Sequence, residues 1–331
     1  MLRLDCPEIF YVTGFSYRYA PGAENAELLP EYLFDKGKIR QHQQALTARV
    51  EKLVRPLRQL TPLEQERAIH DFICENVRYD KLKKPYSHEI IGPLGQGVGV
   101  CEGIAKSVKI LCDALGLWCI IAVSENNPAQ GVKYRHAWNI VRLDGQYYHL
   151  DATFDATLSQ SGVVRHDYFN LDDRALFRDH QSPLYPLPAC TDGTRAFYRA
   201  EKRSFTKIED VCKRAQMPLR KDQPFLFQWR GGALNREILL ELVKALEETA
   251  QTRGRHAAVS YNYPQAVLCV RFPPGASPGG IGGPGGRRRP GSVASKNKTP
   301  AQPLAAPGVF LLKAFSICAP ADLSISFLAP T

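Results

Sequence analysis

One ten-residue segment constrains this chain more than any other: Gly97-Val98-Gly99-Val100-Cys101-Glu102-Gly103-Ile104-Ala105-Lys106. The apolar residues Ile104, Val108, Leu111 and Leu115 recur at helical spacing, and Gly116 is placed to stop a helix. The spacing predicts a helix from about Cys101 to Leu115, entered from a glycine-rich loop. Any fold must therefore build a loop-to-helix corner with a thiol on it. A free thiol has a pKa of about 8.5, which a helix N-terminus and an imidazolium lower to roughly 3.5–7.5. Gly99 and Gly103 carry no side-chain bulk, which lets a substrate backbone approach. The alternative is that Cys101 is a small buried residue at a helix start.

Three segments with strand character follow: Trp118 to Val123, Ala137 to Leu143 and Tyr147 to Leu150. Asp144-Gly145 joins the last two and is a strong hairpin signal. Strand alternation puts His136 and Trp138 on one face. The hairpin can return Asp151 to the side of His136, where its carboxylate is expected to hold the Nδ1 proton. A cysteine, a histidine and an aspartate on separate structured segments are the parts of a thiol nucleophile with an oriented base. Each residue also has a plain reading, His136 as polar packing and Asp151 as a turn cap before Thr153. Glu102 reads as a first-turn acid favouring the helix dipole, and Asp155 as a turn residue, with a second acid near Asp151 as the alternative. His149 receives no function. His88, His166 and His180 lack metal-ligand spacing, and no calcium-loop motif is present. No metal and no cofactor are expected.

Upstream, Ile39, Leu46, Val50, Leu53, Val54 and Leu57 repeat at helical spacing. Thr61-Pro62-Leu63-Glu64 reads as a capped helix start, opening a helix that buries Ala68, Ile69, Phe72, Ile73 and Val77. From Asp80 to Val100 the chain reads as loop. Beyond Cys190 come a strand candidate (Phe225 to Trp229), an amphipathic helix (about Asn235 to Ala250) and a closing strand pair (His256 to Tyr261, Ala266 to Phe272). The expected organisation is a mixed helical region over 1–60, a core over 61–182, a small α+β unit over 188–272, and a disordered Pro/Gly/Arg-rich tail over 273–331.

At 331 residues, with 44% hydrophobic and 23% charged residues, the chain is long enough for one large domain or two to three small ones, with a sizeable core. The net charge of +10 invites a nucleic-acid reading. Half of it falls after Pro273, where Arg287, Arg288, Arg289, Lys296, Lys298 and Lys313 stand against Asp322. The remainder is spread thinly, so nucleic acid is not the expected partner. Nine cysteines without a C-x-x-C pair argue against a disulfide framework and a zinc ribbon. They fit reduced residues of a cytoplasmic protein. The first residues show no apolar signal segment, and the late apolar stretch is too interrupted by Lys313, Pro320 and Asp322 to span a bilayer.

The stretch from about Thr61 to His180 resembles the transglutaminase-like superfamily, whose core is related to papain-type cysteine peptidases. The matching pieces are Asn76-Val77-Arg78-Tyr79-Asp80, the Cys101 block, Leu115-Gly116-Leu117, His136-Ala137-Trp138-Asn139, Asp144-Gly145, Asp151-Ala152-Thr153-Phe154-Asp155 and Tyr168-Phe169-Asn170-Leu171. Phe154 stands where the family often has tryptophan. The resemblance, with bacterial members in particular, implies an α+β fold: a helix bearing the cysteine packed on an antiparallel sheet bearing His and Asp, with N-terminal helices and a small C-terminal α+β unit. It implies Cys101 as nucleophile, His136 as base and Asp151 as orienting acid. The oxyanion would rest on the Cys101 N–H, with Tyr79 as a second donor or a substrate wall. The implied activity is amide-bond chemistry on a protein or peptide through a thioester, with hydrolysis favoured. The alternatives are glutamine-to-amine acyl transfer, a non-catalytic binding module, and RNA binding by the tail.

Overall fold

In the computed structural model, residues 2–22, 24–159, 162–274 and 313–314 are described. The tail expected over 273–331 lies almost wholly outside them. The chain divides into two compact units. The first is built on the residues up to Ser204 with Asn262–Val267, the second on Phe205–Tyr261 and the stretch from Leu268.

The first unit opens with a helical turn α1 (Leu2–Asp5) and a hairpin, β1 (Val12–Arg18) with β2 (Glu27–Tyr32). Sequence patterning gave no sign of this hairpin, because Phe15, Tyr17, Tyr19, Leu28 and Tyr32 are all exposed and no face alternates. The backbone ladder and ring stacking hold it instead, as between Tyr11 and Tyr32. Helix α2 (Lys36–Val54) follows, with Asp35 as N-cap. Helix α3 (Pro62–Asn76) starts at the expected capping box, where Thr61 and Glu64 satisfy each other's backbone N–H groups.

Next come β3 (Arg78–Tyr79), an irregular stretch with a wide helical turn at Ile91–Gln96, and β4 (Val98–Gly99), parallel to β3. Helix α4 (Cys101–Ala114) then begins at the thiol, and Gly116 turns the chain out of it at φ +74°. Strands β5 (Cys119–Ser124), β6 (His136–Leu143), β7 (Gln146–Leu150) and β8 (Phe169–Leu171) form an antiparallel sheet in that order. Asp144 and Gly145, both at positive φ, make the β6–β7 turn as their types predict. Helix α5 (Ala152–Leu158) leaves the end of β7. Ile104, Val108, Leu111 and Cys112 bury one side of α4, which packs on β6 and β5. Two helical turns, α6 (Asp173–Leu176) and α7 (Phe197–Ala200), follow β8.

The second unit carries β9 (Ser204–Phe205), α8 (Ile208–Lys221), β10 (Phe225–Trp229), α9 (Arg236–Gln251), β11 (Ala258–Asn262), β12 (Val267–Arg271) and β13 (Lys313–Ala314). Their sheet order is β13-β11-β12-β10-β9. Asn235 caps α9. Both units mix helix and sheet, so the fold class is α+β. Among the described residues, no helix is long and apolar enough to cross a membrane.

Candidate active site

Cys101 stands half-buried at the first position of α4. Val100 has no polar side chain to cap the helix, so it offers no side-chain acceptor to the first N–H groups. The turn beneath the helix is built by Asp80, whose carboxylate accepts from the N–H groups of Leu82 and Lys84 and from the Ser87 hydroxyl. The Ser87 carbonyl then accepts from Val100 N–H at 3.0 Å. That carbonyl also corrects an expectation. A Cβ on Gly103 would meet Ser87 O at 2.2 Å, and one on Gly99 would meet the Pro93 ring at 2.6 Å. The space these glycines leave is filled by the chain itself, not kept for a substrate. Lys106, fully buried, ties the same turn to the helix by donating to His88 O (3.2 Å), Glu89 (2.9 Å) and Glu102 (2.8 Å). Burial pushes the Glu102 carboxyl up, but the His88 hydrogen bond and then the Lys106 charge outweigh it and hold it down to about 2.

His136 opens β6, opposite Ser124 of β5. Its Nε2 and Asp151 Oδ2 lie 2.6 Å apart. The carboxylate was expected on Nδ1; it binds the other nitrogen, leaving Nδ1 for the thiol side of the ring. Asp151 is wholly buried and also serves as N-cap of α5, its Oδ1 accepting from Thr153 N–H (2.9 Å) and Phe154 N–H (3.1 Å). Burial opposes a charge on His136. The charge and hydrogen bond of Asp151, then the Cys101 sulfur, outweigh it and lift the ring to about 10. Burial likewise opposes ionisation of Asp151, but His136 and His180 hold its carboxyl well below the usual range. Tyr79, half-buried, sits close enough to both to feel them. Burial and then the charges of Cys101 and Asp151 push its hydroxyl up. The fold thus gathers Cys101, His136, Asp151 and Tyr79 into one place.

Sequence reasoning missed several neighbours. His180 Nε2 lies 2.9 Å from Asp151 Oδ2, and no local motif announces a residue 29 positions further on. The Phe154 ring covers both histidines, with centroids 4.7 Å from His136 and 4.6 Å from His180. His149 accepts from Trp138 Nε1–H at Nδ1 and donates from Nε2 to Asp173, so it is neutral. Asp155 is no turn residue. It is buried, accepts from the N–H groups of Asp167 and Tyr168, and bonds His70 at 3.1 Å. Linear spacing grouped His166 and His180 with no acid, yet the fold sets each beside carboxylates. His70/Asp71/His166, His136/Asp151/His180 and His149/Asp173/Cys190 each bring three ligand atoms within 4.8 Å of one another. In all three groups the rings already hydrogen-bond to the carboxylates.

Residues 51–152 match the transglutaminase-like superfamily. The chain is similar to the kyphoscoliosis peptidase of Mus musculus, 25% identical over 262 residues, covering 68% of this chain and 40% of that protein. It is also similar to the Homo sapiens protein of that name, 25% identical over 168 residues, covering 45% of this chain and 25% of the relative. The chain therefore spans well under half the length of either relative. Among solved structures it overlaps a TGase (TM-score 0.28, 12% identity, 43% of this chain and 44% of that one). It also overlaps a candidate cysteine protease of Cytophaga hutchinsonii (TM-score 0.23, 25% identity, 27% and 30%). The match over residues 51–152, which holds the Cys101 and His136 blocks and Asp151, makes that part of the chain similar to the transglutaminase-like superfamily.

Proposed function

We propose that the chain is a cysteine hydrolase acting on amide bonds of proteins or peptides, with Cys101 as nucleophile, His136 as acid and base, and Asp151 as the orienting carboxylate. The observation that carries this reading is His136 itself. One nitrogen is held by a buried carboxylate at 2.6 Å, and the ring feels the Cys101 sulfur at a helix start. A ring lifted to about 10 is an imidazolium at neutral pH, which suits a thiolate partner.

In the first step the Cys101 sulfur bonds to the carbonyl carbon and the C=O electrons move onto oxygen. The Cys101 N–H at the head of α4 is the first donor to that oxyanion, and Tyr79 is the candidate second donor or substrate wall. Collapse expels the amine, which takes the His136 proton, and leaves a thioester. Water then attacks with His136 as base, releasing the carboxylic acid and restoring the thiol. An amine in place of water gives acyl transfer, with the same protein groups. Hydrolysis is favoured because water reaches any open thioester, while an amine needs a site of its own.

The test is to incubate the full chain with a peptide library and a labelled primary amine, beside Cys101→Ala. Cleavage that outpaces amine incorporation, and is lost in the variant, is the expected result. Amine incorporation outpacing cleavage would make the protein an acyltransferase instead. Cleavage surviving in Cys101→Ala would remove the thiol from the mechanism.

A further inference from the structure

The outer side of Asp151 raises a question that the three-residue account leaves open. His180, buried with about 6% of its surface exposed, lies between two carboxylates. Its Nε2 is 2.9 Å from Asp151 Oδ2 and its Nδ1 is 2.9 Å from Asp179 Oδ1. A neutral imidazole has one donor and one acceptor nitrogen, whereas an ionised carboxylate only accepts. Two carboxylate contacts therefore call for two N–H groups, which is the doubly protonated ring. Asp179 is held in its turn, its Oδ2 accepting from the Tyr168 hydroxyl at 2.6 Å and its Oδ1 from Gln265. His180 is not a mobile surface group that happens to reach inward.

A carboxylate offers about four lone-pair sites. Asp151 has all four occupied: Thr153 and Phe154 N–H on Oδ1, His136 and His180 on Oδ2. Without His180, one Oδ2 site would be unpaired in a fully buried position, and the carboxylate could rotate about the α5 cap. Phe154 covers both histidine rings, and Trp138 packs edge-on against His180 at 5.3 Å.

We propose that His180 is a positioning residue for the reaction, a buried imidazolium clamped by Asp179 that locks Asp151 in the orientation serving His136. The inference rests on the reading of Cys101, His136 and Asp151 given above. The titratable groups facing His180 are Asp151, Asp179, His136, Tyr168 and, beyond Trp138, His149. Burial pushes the His180 ring down, but its bonds to Asp151 and Asp179 outweigh that and the net direction is up. A cation here also opposes the charge on His136 across the shared carboxylate. His180 thus keeps Asp151 in place while limiting how tightly His136 holds its proton, the proton it must give to the leaving amine.

The test is the pH dependence of Cys101 alkylation by iodoacetate in the full chain, comparing wild type, His180→Gln and His180→Ala. The anionic probe reacts fast only while His136 is an imidazolium, so the alkaline limb of the profile reports its proton loss. Gln places an amide N–H near the Nε2 position without the charge. In His180→Gln the alkaline limb is expected to move up by about one pH unit, because a like charge has been removed. The maximal rate should stay within about threefold in His180→Gln but fall about tenfold or more in His180→Ala, which lacks the donor as well. Loss of packing alone would leave the limb where it was. If His180→Ala does not fold, the position of the limb in His180→Gln decides. A wild-type bell with an unmoved limb in His180→Gln overturns this inference alone. A wild type that reacts no faster than a model thiol at pH 6 overturns the nucleophile reading and this one with it.

Discussion

His136 carries its charge against its burial, because a buried carboxylate stands 2.6 Å away. That has a consequence for stability. The ring's folded value, about 10, lies above the ordinary 6.5. Its stabilising contribution is therefore complete below about pH 6.5 and is lost as pH rises through about 10. The thermal unfolding temperature should fall over that window, and more steeply in wild type than in His136→Gln. Equal slopes would mean that the ring is not held charged by Asp151. The residue types of the site were legible in the sequence, since thiol, imidazole and carboxylate each sit at a recognisable element boundary. Which nitrogen Asp151 binds was not legible. It depends on how the end of β7 turns into α5, a geometry that strand alternation does not specify. His180 was invisible for the same reason, because its partner is set by tertiary packing and not by spacing.

Helix α4 brings Cys101 to the site, and the turn at 80–89 decides where its first residue lies. Lys106 places three donors on that turn and on Glu102, all from a fully buried position. Lys106→Met leaves Glu89 buried, with Arg3 as its remaining charged partner. The expected loss is about 3 kcal/mol, as when one partner of a buried pair is removed, read from chemical denaturation. Gly103→Ala drives a methyl group into the Ser87 carbonyl. It should cost about 1–3 kcal/mol by the same measurement, and a shift of the helix head should slow Cys101 alkylation. A wild-type-like Gly103→Ala would show that the turn yields easily. At this scale helix α4 and strands β5, β6 and β7 were read nearly to the residue, because buried stripes and turn residues fix them, whereas β3, β8 and α5 were not read. The β1–β2 hairpin was not read, since both its faces are exposed. Helix α8 was not read either. Pro218 looks like a break in sequence but falls in the last helical turn, where Asp222 in the left-handed conformation closes the helix.

At the scale of the whole molecule, the candidate site draws on segments far apart in sequence: the 78–106 stretch, the β6–β7 hairpin, the cap of α5 and His180. Local pattern gives each piece its form, and the antiparallel order β5-β6-β7-β8 with α4 against β6 makes them converge. Each piece bearing Cys101, His136 and Asp151 is locally encoded, while the class of the fold came from the resemblance of those pieces to the transglutaminase-like superfamily. The chain's interior charge network was not readable. Glu66, His70, Asp155, Asp167 and Lys106 are all buried, each against a polar partner, and charged residues read from sequence as solvent-facing. The proposed chemistry requires that this convergence make a reactive thiol. The most direct measurement is the alkylation rate of Cys101 by iodoacetamide at pH 6 in the full chain, followed by peptide mass spectrometry, beside His136→Ala. Cys101 in wild type is expected to react well ahead of a model thiol and of the protein's other cysteines, and His136→Ala to remove the advantage. Equal rates in the two proteins would contradict the proposed chemistry.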